Sequence, residues 1–265
     1  MDLHLDGRRA IITGGSRGIG LAVARGLAAE GAHLALVARD PARLQAAAQT
    51  LASYGRTVLT KVADTTDDLA VQAMVGEVAD GLGGIDILVN SAAQPGGTVP
   101  PAKLADLADD AIRAELETKL LGYLRCARAV APYMQRQGWG RIISVSGLAA
   151  RQAGSVAGSV RNVAVAAMTK NLADELGPDG INVTVVHPGS TVTERTAGLV
   201  SQLASATNTT EEEARARLAL ASSIGRMVTA DEVAAVVTFL ASPLSVAING
   251  DAIAVGGGAR GAIHY

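Results

Sequence analysis

The sequence predicts a doubly wound α/β architecture: one domain over residues 1–265, with a parallel sheet of about seven strands flanked by helices on both faces. Short β-branched or aliphatic runs alternate with Ala/Leu stretches of helical period along the whole chain. Those runs are continuously apolar rather than alternating, as strands buried on both faces must be. No repeat, low-complexity tract or linker interrupts the rhythm. Hydrophobic residues make up 49% of the chain and aromatic ones 2%, so the core is large and aliphatic.

In chain order, the apolar runs at 9–13, 33–38, 57–62, 85–90, 141–146, 181–187 and 252–255 read as strands. Helical spacing falls at 19–30, 41–53, 67–81, 111–137, 163–177 and 230–241. Asp40-Pro41 has the form of an N-cap followed by a first-turn proline. The uncharged stretch 233–250 is divided by Ser242-Pro243 and Asn249-Gly250, so it reads as core and not as a membrane span. Residues 196–223 break the alternation with a polar Ala/Glu/Arg segment after a strand end, where α/β folds place substrate loops; a lid over about 194–223 is expected. After Asn162 the sequence Val163-Ala164-Val165-Ala166-Ala167-Met168 is apolar nearly all round a helix. Burial on both sides follows, and with it a homodimer or homotetramer.

Lys and Arg total 23 against 25 Asp and Glu, a net charge of −2 that offers no electrostatic footprint for nucleic acid or an anionic membrane. Four Tyr, one Trp and one Phe supply no stacking platform for bases. The expected partner is therefore a small-molecule substrate, with neither nucleic acid nor membrane involved. The single Cys126 excludes an intramolecular disulfide framework and a Cys-rich metal site, and no metal is expected. With an acidic, charge-interrupted start at Met1 to Asp6, unlike a secretory signal, a cytoplasmic location is expected.

Thr13-Gly14-Gly15-Ser16-Arg17-Gly18-Ile19-Gly20 follows the first strand and opens a helix. Gly14 permits the tight turn, Gly18 lets backbone approach a pyrophosphate at the helix N-terminus, and Gly20 allows close helix packing. This is the context a dinucleotide reading requires. An acid at the end of the second strand would bind a ribose 2′-hydroxyl, but the chain has Ala38-Arg39-Asp40 there. Arg39, helped by Arg17, suits a 2′-phosphate through charge-assisted bidentate bonds, so NADP(H) is expected over NAD(H).

With these residues in hand, the sequence resembles the short-chain dehydrogenase/reductase superfamily, Rossmann-fold enzymes, over essentially its full length. The glycine motif stands at Thr13 to Gly20; Asp64 matches the family's adenine-contacting acid; Asn90-Ser91-Ala92-Ala93 is similar to its Asn-Asn-Ala-Gly segment. Pro188-Gly189 followed by Thr193 resembles the stretch that holds the nicotinamide end. The resemblance implies cofactor contacts at Gly14, Ser16, Arg17, Gly18, Ile19, Gly20, Arg39, Asp64, Asn90, Ala92, Pro188, Gly189 and Thr193.

The family's proton-transfer machinery is a Tyr-x-x-x-Lys pair with a Ser and an Asn. Alignment places Gly158 at the Tyr position, Asn162 at the Lys position, Gly147 at the Ser position beside Ser146, and Lys119 at the Asn position. Neither Gly158 nor Asn162 can donate a proton, so the usual carbonyl chemistry needs another donor. Lys119 is the first candidate, because burial lowers an ammonium pKa; the alternative is a lysine reaching solvent or pairing with Glu115 one turn earlier. Ser146 and Ser159 adjoin the replaced positions and are candidates to hydrogen-bond a substrate oxygen, and Asn162, at the Lys position, is kept as a candidate site residue. Arg151 and Arg161 are candidates for an anionic substrate group, and His187 for a titrating one. Among the tyrosines, Tyr54 and Tyr133 read as surface or packing, Tyr123 lies a turn below the site, and Tyr265 is a terminal residue that either frays or folds over a site. Three readings stand: an oxidoreductase with a rebuilt proton-transfer site, a cofactor-binding protein without turnover, and non-redox elimination or hydrolysis on the same scaffold.

Overall fold

In the computed structural model, which describes residues 1–93 and 102–260, the strands are β1 (Arg9–Thr13), β2 (His33–Ala38), β3 (Val58–Val62), β4 (Ile87–Asn90), β5 (Gly140–Val145), β6 (Ile181–Pro188), β7 (Thr191–Val192), β8 (Val228–Thr229) and β9 (Ala252–Val255). Seven of them pair in parallel in the order β3-β2-β1-β4-β5-β6-β9, while β7 and β8 make a separate short ladder. The helices are α1 (Gly18–Ala29), α2 (Pro41–Leu51), α3 (Asp68–Leu82), α4 (Asp109–Glu115), α5 (Gly122–Gln137), α6 (Val156–Leu176), α7 (Thr196–Thr207), α8 (Glu211–Leu220) and α9 (Ala230–Ala241). The expected doubly wound fold is the observed one.

Helices cover both sheet faces. Leu27 of α1, Leu44 of α2 and Val237 of α9 pack with Ile12 and Leu36 on one side. On the other, Val75 of α3, Val130 of α5 and Ala173 of α6 pack with Leu88, Ile142 and Val183. Every residue of β4, β5 and β6 is buried, which is why their sequences are mostly aliphatic and do not alternate apolar with polar, although Arg141, Asn182 and His187 are buried among them. The strand order reverses direction between β1 and β4, so the loops leaving their carboxyl ends diverge and open a crevice.

Two expectations need correction. The 111–137 helix is not uniform: Leu116–Leu121 is wound as a π-helix between α4 and α5. Such a segment inserts a residue and re-aims side chains; here Lys119 and Tyr123 are both buried against the end of β5, donating to the carbonyls of Ser146 (2.8 Å) and Val145 (3.0 Å). Nor does the next helix start at residue 163. It begins at Val156, because Ser155 accepts a hydrogen bond from the Gly158 amide at 3.1 Å and caps the first turn. Within 196–223 the polar segment forms α7 and α8, packed through Val200, Ala204 and Ala214, with a Thr210/Glu213 capping box at the second. Among the described residues no helix is long and apolar enough to cross a membrane.

Candidate active site

The crevice at the carboxyl ends of β1, β2, β4 and β5 is a cleft of about 350 Å³. Gly14, Ser16, Arg17, Gly18, Ile19 and Gly20 form its floor. Thr13 Oγ1 accepts from the amides of Ser91 (3.1 Å) and Ala92 (3.3 Å), tying the loop after β4 to the loop after β1. Gly14 has φ +67°, and a Cβ there would meet the Ser91 carbonyl oxygen at 2.7 Å. A Cβ on Gly20 would run into the Gly14 carbonyl. Gly18 is different: at φ +57° its Cβ would have only Glu194 Oε1 and Thr193 Cγ2 near it, both at 3.8 Å, so the space above it is open. No side chain caps α1. Its leading amides face the cleft as an anion site, and this cradle fits a dinucleotide pyrophosphate.

One end of the cleft is cationic, lined by Arg17, Arg39 and Arg43. Asp40 is not available to a ribose hydroxyl in the manner of a strand-end acid: its carboxylate caps α2 by accepting from the Arg43 amide (3.1 Å) and lies 3.2 Å from Arg43 Nε. Arg39 Nη1 sits 3.7 Å from Asp64 Oδ2. Hydrogen bonds from the Thr66 amide and hydroxyl, with Arg39 adding its charge, hold the Asp64 carboxyl below the ordinary carboxylate range.

At the other end lie Ser91, Ala92, Ala93, Thr118, Lys119 and Ser146, with Thr193 across from them. Lys119 is buried, and desolvation brings its ammonium down to about 7; Arg161 pushes the same way and Glu115 opposes. Neither alternative considered for this lysine holds: it does not reach solvent, and Glu115 is paired with Arg161 instead. Asn162, also buried, accepts on Oδ1 from Ser146 Oγ (3.0 Å) and from Arg161 Nε (3.2 Å).

Other expected residues fall elsewhere. Asn90 lies under the cleft, donating to the Tyr123 carbonyl at 3.4 Å. Pro188 and Gly189 line a neighbouring cavity of about 280 Å³ with Leu148, Gln152 and Met227. Arg151 donates to the Ala252 carbonyl (2.6 Å) and Ser159 to that of Gln152 (3.0 Å). Gly147 leaves room that the Asn162 amide nitrogen approaches, 3.1 Å from where a Cβ would stand, and Gly158 sits in the first turn of α6 against Ser155. His187 is buried in β6. Burial pushes the Tyr123 hydroxyl far above its usual range, so it stays a neutral donor. Tyr54 is exposed and Tyr133 carries the Arg136 guanidinium over its ring, while Tyr265 lies outside the described residues.

The model of the short chain dehydrogenase family matches residues 8–204. The chain belongs to this family. The monensin polyketide synthase putative ketoacyl reductase of Streptomyces virginiae is 37% identical over 95% of this chain and 96% of its own. The short-chain reductase protein NovJ of Streptomyces niveus is 35% identical over 94% and 92%. L-sorbose reductase from Gluconobacter frateurii, solved with NADPH and L-sorbose, superposes with a TM-score of 0.92 at 32% identity, covering 99% of this chain and all of the other.

In this short-chain dehydrogenase Ser91 and Ala93 line the cleft with their motif neighbour Ala92, while Arg43, Thr118, Glu194 and Arg195, which also line it, were given no contact role from the sequence. Arg43 alone carried a signal: it stands three residues after Asp40, where an N-cap places it on the same side as Arg39.

Proposed function

We propose that the protein is an NADP(H)-dependent oxidoreductase that interconverts a carbonyl and an alcohol on a small-molecule substrate, with Lys119 carrying the proton that a tyrosine carries in most of its family. The observation that supports this is Lys119 Nζ, buried in the cleft wall, 2.8 Å from the Ser146 carbonyl and with its ammonium brought to about 7. None of the four tyrosines is followed by lysine four positions on, so the Tyr-x-x-x-Lys pair is absent. Arg17, Arg39 and Arg43 favour a 2′-phosphate, as does the NADPH in the L-sorbose reductase structure; NAD(H) is the second choice.

When bound, the nicotinamide gives or takes the hydride. The chain's own contribution is positioning and proton transfer. One N–H of Lys119 is held by the Ser146 carbonyl, which leaves two for a group bound in the cleft that the residue lines. In reduction the protonated amine donates to the forming alkoxide and regains a proton from water that enters the cleft between turnovers; in oxidation the neutral amine accepts. Ser146 and Asn162 steady the wall behind it. The segment 194–223 serves as the lid, and the exposed stripe of Val156, Val160 and Val163 on α6 supports self-association into a dimer or tetramer. The lone, buried Cys126 fits a reducing cytoplasm.

The test is NADPH oxidation followed by absorbance against a carbonyl panel, for the wild type and Lys119→Met. Reduction should fall as pH rises through about 7, since the acid form is then lost, and Lys119→Met should lower kcat about 10²–10⁴-fold with NADPH affinity unchanged. NADPH binding without turnover, or product formed with no change in nicotinamide absorbance, would instead favour a binding protein or non-redox chemistry.

A further inference from the structure

Arg161 was a candidate for gripping a substrate anion, and its surroundings give it different work. Its Nη1 meets the Glu115 carboxylate across the α4/α6 contact, with both side chains largely buried at 15% and 18% exposure. Its Nε donates to Asn162 Oδ1. Guanidinium has no acceptor atom, so this bond fixes which end of the Asn162 amide is oxygen and turns Nδ2 toward Gly147. Glu115 stands four residues before Lys119, the spacing at which a free carboxylate and an ammonium pair on a helix face. Such a pair would hold Lys119 fully charged and pull it off the Ser146 carbonyl.

We propose that Arg161 is a positioning residue for Lys119: by holding the Glu115 carboxylate on one side and Asn162 Oδ1 on the other, it keeps the carboxylate from capturing the ammonium and leaves the lysine free to exchange a proton. This rests on the reading of Lys119 as the proton carrier. Among the described residues, the groups that act on Lys119 or bond beside it are Glu115 from the end of α4, Arg161 from α6, the neutral hydroxyl of Tyr123 and, just after β5, the Ser146 carbonyl. Arg17, Glu194 and Arg195 line the same cleft from its floor and opposite side. The charged groups whose fields act on the amine are Arg161 and Glu115, and the two act on it in opposite directions.

The experiment reads Lys119 directly. The chain has lysines at 61, 103, 119 and 170 only, so protein labelled with ¹³C at lysine Cε gives a spectrum in which Lys119 is assigned by its loss in Lys119→Met. Its titration is followed without cofactor. Arg161→Gln frees Glu115 and should raise the Lys119 midpoint by about one pH unit or more. Glu115→Gln leaves Arg161 unopposed and should lower it. The double variant should return near the wild type, and Arg161→Lys, which keeps the charge, should move it less than Arg161→Gln. The pH limb of carbonyl reduction should follow each shift.

Shifts of the same sign in the two single variants, or none, overturn the proposal. If Arg161→Gln does not fold, Glu115→Gln decides: an unchanged or raised midpoint overturns it. A merely structural salt bridge would lower stability in both single variants without opposed shifts. Midpoints that move as expected while Lys119→Met retains full turnover would overturn the proton-carrier reading and leave the electrostatic placement standing. Loss of turnover in Lys119→Met with immobile midpoints would do the reverse.

Discussion

An arginine pays little to sit at a surface and gains most when a dianion arrives between two or three of its kind. Arg39 and Arg43 are both exposed and each leans on a carboxylate, Arg39 on Asp64 at 3.7 Å and Arg43 on Asp40 at 3.2 Å. These exposed pairs hold weakly, so a 2′-phosphate can recruit both side chains without breaking a costly contact. Arg39→Ala together with Arg43→Ala should raise the Kd for NADPH by about 10–100-fold while changing that for NADH little, which fluorescence titration with the two nucleotides checks. Equal losses for both nucleotides would show that the arginines hold something other than the 2′-phosphate. Arg39 was legible in the sequence because it ends a strand whose end is functionally placed. The work of Arg161, taken from the sequence as a grip on a substrate anion, was not: its partner Glu115 lies 46 residues away, and nothing local marks the pairing.

Among elements, the turn from β1 into α1 separates two uses of glycine. Gly20 is packed against backbone, where the Gly14 carbonyl leaves no room for a Cβ, whereas Gly18 has a left-handed backbone and open space above it. Gly20→Ala should therefore distort the turn and destabilise the fold by about 1–3 kcal/mol. Gly18→Ala should cost only about 1 kcal/mol of backbone strain yet put a methyl group into the space that the proposed phosphate site needs. Thermal melts with and without NADPH distinguish them: the Gly18 variant should melt near the wild type but lose the stabilisation by NADPH, and a Gly18 variant still stabilised by NADPH would place the phosphates elsewhere. Strands were legible because burial on both faces leaves a run such as Arg9–Thr13 or His33–Ala38 with recognisable ends. The π-helical Leu116–Leu121 was not, since its Leu and Lys residues suit an ordinary helix and only the tertiary pull of Lys119 and Tyr123 toward β5 distinguishes it. The true start of α6 was hidden by Gly154, Ser155, Gly158 and Ser159, which read as loop until one serine is seen to cap.

At the scale of the whole molecule, a lysine buried in the cleft wall is a burden on folding. In the unfolded chain Lys119 keeps an ordinary ammonium, while in the fold it is brought from 10.5 to about 7 by burial. Between those values the unfolded state binds more protons than the folded one, so this residue makes stability rise with pH across that window. Below about 7 both states are protonated and the whole penalty of a buried charge is present. Lys119→Met removes that penalty and should be more stable than the wild type at pH 6 by on the order of 1–4 kcal/mol, after allowing for the lost bond to the Ser146 carbonyl. The advantage should shrink steadily as the pH approaches 10, where the wild-type amine is neutral when folded. Urea denaturation of both proteins at pH 6, 8 and 10 measures the gap. A gap that stays constant with pH would mean that Lys119 keeps its proton in the fold and is not the group that exchanges it, whereas a closing gap, alongside lost turnover in the same variant, ties the strain in this fold to the chemistry of its site.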